Sequence, residues 1–215
     1  MYFFKTPALF KYLYPNVIWQ GDRNKKQIFL TFDDGPVPGI TDYVLDVLSE
    51  FGIKATFFCV GENVAKHPAT FERLLYEGHG VGNHTYNHLD GWKINLQVYL
   101  DNIYQSRDTM INHGYSSDYF LFRPPYGKLK KGLSNRIDNN FKIIMWDVLA
   151  YDFSTKISAE RCLQESIKHT RNGSIVLFHD SQKTIQKLKI AIPQYIAHFL
   201  NENYEFCRID ALFLH

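Results

Sequence analysis

Short apolar runs alternate with amphipathic stretches along the whole chain of 215 residues. The runs occupy 27–32, 55–60, 80–84, 119–123, 141–148, 174–179 and 205–209. Most are near-continuously apolar, the pattern of strands buried on both faces. Between them, Ile40, Val44, Leu45, Val47, Leu48 and Phe51 recur at helical spacing, and Gly52 follows as a stop signal. Pro68 fits the first turn of a second helix and Gly78 its C-terminal cap. A third spans roughly 96–112 and is closed by Gly114. Ser158 N-caps a fourth, with Gly173 closing it. The last, from about 184 to 203, contains Pro193, which either kinks it or opens a second helix. Strict β/α alternation calls for a parallel sheet with right-handed crossovers. The expected fold is therefore α/β: a distorted, incomplete (β/α) barrel of about seven parallel strands. An open doubly wound sheet is the alternative.

A hydrophobic content of 45% suffices for one globular domain over 1–215, with its core at about 27–209. Residues 1–26 are expected to pack on that core as a lid over one end. Their aromatic stretch is broken by Lys5, Pro7, Lys11 and Pro15, so it lacks the apolar centre of a signal peptide. The default compartment is then the cytoplasm, with the cell envelope as the second reading. An interfacial membrane contact is the sharper reading of the same aromatic stretch. No run reaches the roughly 18 apolar residues of a transmembrane segment. A net charge of +2 gives no field that would select nucleic acid. Cys59, Cys162 and Cys207 are an odd count without CxxC spacing, so no disulfide framework is expected, and Cys59 and Cys207 read as small core hydrophobes.

The polar residues that interrupt the apolar runs sit where chemistry would need them. Asp33 and Asp34 end the first run, His84 the third, Arg123 the fourth and His179 the sixth, while Asp152 follows the fifth. Carboxylates and imidazoles are costly to bury without partners. In a parallel α/β fold the C-terminal strand ends share one face, so these residues converge there. His84 and His88 are four apart, a spacing that puts both rings on one side of a helical turn. A carboxylate from the first run would complete a set of two histidines and one acid for a divalent ion. The second acid would then stand by as a base. An Asp-Gly turn explains Asp34-Gly35-Pro36 but not two acids after Ile28-Phe29-Leu30. Arg123 needs a carboxylate partner, Asp33 or Asp152. Pro124 and Pro125 stiffen the loop that presents the Tyr126 backbone N–H. His179 is a candidate general acid. His67, His79, His113, His169 and His198 lack such company and read as surface or structural.

These runs resemble the polysaccharide deacetylase family, the NodB-homology domain of carbohydrate esterase family 4. The segments that carry the resemblance are Thr31-Phe32-Asp33-Asp34-Gly35-Pro36, His84-Thr85-Tyr86-Asn87-His88 and Arg123-Pro124-Pro125-Tyr126-Gly127. Two more are Trp146-Asp147-Val148-Leu149-Ala150-Tyr151-Asp152-Phe153 and Leu177-Phe178-His179. The resemblance implies a distorted (β/α) barrel, with Asp33 as catalytic base and Asp34, His84 and His88 as metal ligands. It further implies that Arg123 holds the base, that the Tyr126 N–H meets the oxyanion and that Asp152 orients His179 as the acid. Leu177 would line the acetyl pocket. The family commonly has tryptophan where Phe153 stands and an aspartate near Leu149, so the groove shape differs here.

The implied reaction is hydrolysis of an N-acetyl group on an amino-sugar glycan, of chitin-oligomer or peptidoglycan type, with release of acetate. The implied cofactor is one divalent ion, Zn²⁺ first, with Co²⁺, Ni²⁺ or Mn²⁺ as alternatives. Other readings are an O-acetyl esterase on acetylated polysaccharide and a carbohydrate-binding domain without turnover. A non-haem Fe(II) oxygenase shares the ligand set but is disfavoured by the β/α alternation.

Overall fold

The computed structural model describes residues 2–213. Its parallel strands are β1 (Gln27–Asp33), β2 (Thr56–Cys59), β3 (Gly80–Asn83), β4 (Phe120–Phe122), β5 (Phe141–Ile143), β6 (Val148–Leu149), β7 (Ser174–His179) and β8 (Glu205–Phe206). Seven of them follow one path, β5-β4-β3-β2-β1-β7-β6, and β8 pairs beside β1. The path curls into an incomplete barrel, as the alternation requires. The helices are α1 (Ala8–Leu13), α2 (Thr41–Glu50), α3 (Gly61–Lys66), α4 (Pro68–Tyr76), α5 (Leu96–Asn112), α6 (Ala159–His169) and α7 (Ile185–Asn201).

Side-chain parity sorts each strand into two faces. On β1, Ile28, Leu30 and Phe32 join the core under α2, α4 and α7. Phe29 joins Phe58, Leu121, Ile144, Ile175 and Ile209 in a separate cluster inside the barrel. Thr31 and Asp33 share the parity of Phe29, so they continue the interior upward. The β1–β7 register then sets Thr31 beside Leu177 and Asp33 beside His179. Thus the apolar floor of the barrel and the polar strand ends belong to one column of alternate residues.

Two expectations about the elements need correction, and one open alternative is decided. The run 141–148 is not one strand. Its two ends are β5 and β6, at opposite edges of the sheet, and Ile144-Met145-Trp146-Asp147 crosses the gap between them. A continuous apolar run hides this crossing because Ile144 and Met145 are buried just as strand residues are. The last helix is continuous through Pro193. Proline supplies no N–H to the Lys189 carbonyl one turn earlier, and the Tyr43 hydroxyl of α2 reaches that carbonyl at 3.5 Å. Finally, α6 ends at His169, and Gly173 (φ 69°) belongs to the turn into β7.

The N-terminal segment lies along the gap in the barrel wall, not over one end. Ile18 exchanges backbone hydrogen bonds with Ile143 and Met145 at the β5 edge, and Phe4 and Thr6 bond Leu149 and Asp147 at the β6 edge. Both open edges are thereby paired. Asp147, fully buried in the gap, anchors the segment through Lys11 (2.6 Å), Arg23 (2.8 Å) and Lys5 (3.5 Å). Ser174 Oγ also donates to it at 2.7 Å. By contrast, α1 buries none of its side chains and leaves Leu9, Phe10, Tyr12 and Leu13 exposed. Among the described residues no helix is long and apolar enough to cross a membrane. The three cysteines are free, with Cys59 and Cys162 buried and Cys207 half-buried.

Candidate active site

Among the described residues, Arg123 is the largest fully buried side chain. A buried guanidinium survives only if its donors are met. One nitrogen donates to Asp33 Oδ1 at 2.7 Å and to Thr31 Oγ1 at 2.9 Å. The others donate to the carbonyls of Met145 (3.0 Å) and Ile144 (3.3 Å). Its guanidinium carbon lies 3.9 Å from the centre of the Phe58 ring. Phe58 fits there because β3 carries Gly82, where a Cβ would stand 2.3 Å from that ring. Of the two carboxylates open to it in the sequence, Arg123 therefore takes Asp33, fixing that acid at the top of the barrel.

Asp34 turns away from the strand in a left-handed conformation (φ 87°), which costs a residue with a Cβ about 1–3 kcal/mol. That turn carries its carboxylate to His84 and His88. These two histidines do not share a helical turn: the loop is irregular, with Thr85 (φ 65°) and His88 (φ 57°) also left-handed. Asn83 Oδ1 and Asn102 Oδ1 accept the Thr85 and Tyr86 N–H groups and hold the loop in this shape. The rings still meet, with centroids 5.0 Å apart.

His84 Nδ1 faces the Arg123 carbonyl at 2.8 Å. A carbonyl can only accept, so Nδ1 carries the proton and Nε2 presents its lone pair to the site. Burial pushes the His84 imidazole down to about 4, which keeps it neutral. His88 Nδ1 is 3.1 Å from the Tyr126 hydroxyl, leaving its Nε2 directed likewise. Asp34 Oδ1 is buried without a hydrogen-bond partner, 3.3 Å from His88 Nε2 and 3.9 Å from His84 Nε2. Burial alone would raise the Asp34 carboxyl. His88, His179 and His84 together bring it well below the usual carboxylate range. The three ligand atoms lie within 4.8 Å of one another. A tetrahedral ion with bonds of about 2.0–2.1 Å needs them roughly 3.3 Å apart. With Nε2 of both histidines free of protons, these three atoms form a donor set that can hold a divalent cation.

On the other side, His179 Nδ1 bonds Asp152 Oδ1 at 2.9 Å, and its backbone N–H bonds Asp152 Oδ2 at 2.7 Å. Asp152 is fully buried. Burial opposes charge on His179, but Asp152 outweighs it, with Asp34 and Asp33 adding, and raises the imidazole to about 9. The Phe153 ring meets the imidazole edge to face at 5.0 Å. These groups open on one pocket of about 610 Å³, also lined by Tyr126, Trp146, Leu149, Phe153 and Leu177. Leu177 is its buried floor, whereas Phe153 and Tyr126 stand exposed at the rim. Tyr126 is left-handed (φ 60°) immediately after the two prolines. All ten residues singled out in the sequence thus come together around this pocket.

Two polar residues beside the site escaped the sequence reading. Asp180 is fully buried and accepts the Gly35 N–H at 3.0 Å and the Thr41 hydroxyl at 2.6 Å. Burial pushes its carboxyl up to about 8. Asn63 Nδ2 donates to the Asp34 carbonyl at 2.7 Å. An acid directly after a strand-end histidine was the available signal for Asp180. Asn63 gave none.

A family model described as polysaccharide deacetylase matches residues 20–140. A peptidoglycan-N-acetylglucosamine deacetylase of Bacillus cereus is 35% identical over 192 residues, covering 86% of this chain and 67% of the relative. The peptidoglycan-N-acetylglucosamine deacetylase PgdA of Listeria monocytogenes is 33% identical over 193 residues, covering 89% of this chain and 40% of its own length. A crystal structure of a peptidoglycan N-acetylglucosamine deacetylase superposes with a TM-score of 0.87 at 30% identity, covering 96% of both chains. The chain belongs to the polysaccharide deacetylase family. Its incomplete barrel is the fold of that solved relative.

Proposed function

We propose that this chain removes N-acetyl groups from amino sugars of a peptidoglycan-type glycan, with Asp34, His84 and His88 holding one divalent ion, Zn²⁺ by preference. The observation that carries the reading is the convergence, on one pocket, of this ligand set with the Asp33–Arg123 and His179–Asp152 pairs. When bound, such an ion lowers the pKa of water and polarises the acetyl carbonyl. Asp33 takes the proton of the attacking water; its Oδ2 stands 3.7 Å from His84 Nε2, beside the ligand set. Arg123 holds the other Asp33 oxygen and so fixes the direction of the free one. The Tyr126 N–H is the donor assigned to the oxyanion. His179 then gives its proton to the sugar nitrogen as the C–N bond breaks, so that an amine leaves in place of an amide anion. The products are acetate and a free amino sugar. Leu177 takes the acetyl methyl, and Phe153 forms one wall for the sugar ring. The peptidoglycan class is supported by the names of the similar proteins.

Acetate release from peptidoglycan fragments, chitin oligomers and acetyl-xylan, with elemental analysis of the protein, tests this reading. Release from the first should accompany about one bound ion per chain, and both should be lost in His84→Ala and His88→Ala. Release from acetyl-xylan alone would replace it by an esterase. Silence of a folded, metal-loaded protein on all three would reject it.

A further inference from the structure

The peptide between Asp34 and Gly35 is gripped at both ends. Asn63 Nδ2 donates to its carbonyl at 2.7 Å, and Asp180 Oδ1 accepts its N–H at 3.0 Å. The Asp180 backbone N–H also bonds the Asp33 carbonyl at 3.0 Å, so one residue holds the chain on both sides of Asp34. The fit is tight. A Cβ on Gly35 would stand 2.1 Å from Asp180 Oδ2, so residue 35 has to be glycine for this contact to exist. Asp180 is itself fixed by Thr41, whose hydroxyl donates to it at 2.6 Å and accepts the Val37 N–H at 2.7 Å. Asn63 belongs to α3, a helix that also touches the second ligand loop. The Gly61 and Glu62 N–H groups bond the carbonyls of Thr85 (3.0 Å) and Tyr86 (2.7 Å). Through α3, the loop of Asp34 and the loop of His84 and His88 share one brace.

We infer that Asp180 and Asn63 are positioning residues for metal binding: they clamp the Asp34–Gly35 peptide and hold Asp34 in the left-handed turn that aims its carboxylate at His84 and His88. Nothing in the reaction needs either side chain to exchange a proton. Their effect falls on the ligand geometry and hence on affinity, as partners that orient metal ligands commonly act. The inference rests on the metal-site reading above.

The test measures the Zn²⁺ dissociation constant by competition with a chromophoric chelator, independently of turnover. Asp180→Ala and Asn63→Ala should each weaken Zn²⁺ binding by about tenfold to a hundredfold. Asp180→Asn should regain most of the loss, because an amide oxygen can still accept the Gly35 N–H and its nitrogen can reach Thr41. Asn63 lines the pocket, so acetate release alone would not separate positioning from substrate contact, whereas Zn²⁺ affinity does. If Asp180→Ala does not fold, Asn63→Ala decides, since its half-exposed side chain can be lost without the backbone contacts of α3. Folded alanine variants that bind Zn²⁺ as the parent does would overturn the clamp. So would an Asp180→Asn variant as weak as Asp180→Ala, which would show that an acceptor for the Gly35 N–H is not what position 180 supplies. A parent that binds Zn²⁺ with the predicted losses but releases no acetate would reject the deacetylase reading and leave the clamp standing. A parent that binds no Zn²⁺ would overturn both.

Discussion

Replacing Asp152 by Asn removes the charge that governs His179. In the metal-free protein burial presses the imidazole toward neutrality. Asp152 at 2.9 Å, with Asp34 and Asp33 behind it, overcomes that pressure and lifts it from 6.5 to about 9. At about 1.4 kcal/mol per pKa unit, this difference corresponds to roughly 3 kcal/mol of preference for the imidazolium in the folded state. The sign follows from linkage. A folded-state pKa raised above the unfolded value gives stability that is fully present below 6.5 and is lost as pH rises through about 9. At about 2–4 °C per kcal/mol for a chain of this size, the metal-free parent should lose roughly 6–12 °C in Tm across that window. In Asp152→Asn the opposing burial remains while the main attraction is gone. His179 should then titrate well below the parent's value of about 9, and the Tm loss between the two pH values should shrink accordingly. NMR titration of the His179 ring nitrogens in the metal-free protein, with calorimetry at both pH values, measures each half. An Asp152→Asn protein whose His179 stays within about one pKa unit of the parent would refute the assignment of the shift to Asp152.

Asp33→Asn should retain its metal yet lose at least about a hundredfold in turnover, the range for removal of a general base; unchanged acetate release from metal-loaded protein would remove Asp33 from the proton transfer. His179→Ala should cost an N-acetyl substrate about a hundredfold or more, while an activated aryl ester, whose leaving group needs no proton, should lose far less; equal losses would favour an esterase. At Asp147, burial would raise the carboxyl, but Lys11, Ser174 and Arg23 bring it from 3.8 down to about 2. A depressed carboxyl contributes stability above 3.8 that is lost as pH falls through about 2. Asp147→Asn should therefore cost about 2 kcal/mol and about 4–8 °C in Tm at pH 7, with the difference shrinking toward pH 2–3 in urea titrations.

The residues that meet at the pocket were legible because each interrupts or ends an apolar run where solvation alone cannot explain it. Asp33 follows Phe32, His179 follows Phe178 and Arg123 follows Phe122, and parallel strands bring such ends together whatever their separation in sequence. The geometry between them was less legible. The four-residue interval of His84 and His88 suggests a helical turn, yet left-handed residues in a loop bring the rings together as well. The run 141–148 hides a crossing of the barrel gap because buried residues look alike whether they pair with a strand or with the N-terminal segment. Asn63 was invisible because it acts on the Asp34 backbone, and a carbonyl carries no side-chain signature.

The pairing of both barrel edges by the N-terminal segment bears on where this protein can be cut. The family match begins at residue 20, downstream of Phe4, Thr6, Lys11 and Ile18. A chain trimmed there would present the β5 and β6 backbones to solvent and leave the buried Asp147 without two of its three basic partners. Unpaired edges recruit other strands, so such a fragment would self-associate through the flank of the barrel although its pocket residues were all intact. The shortest stretch that reads as the enzyme is thus not the shortest stretch that stays monodisperse.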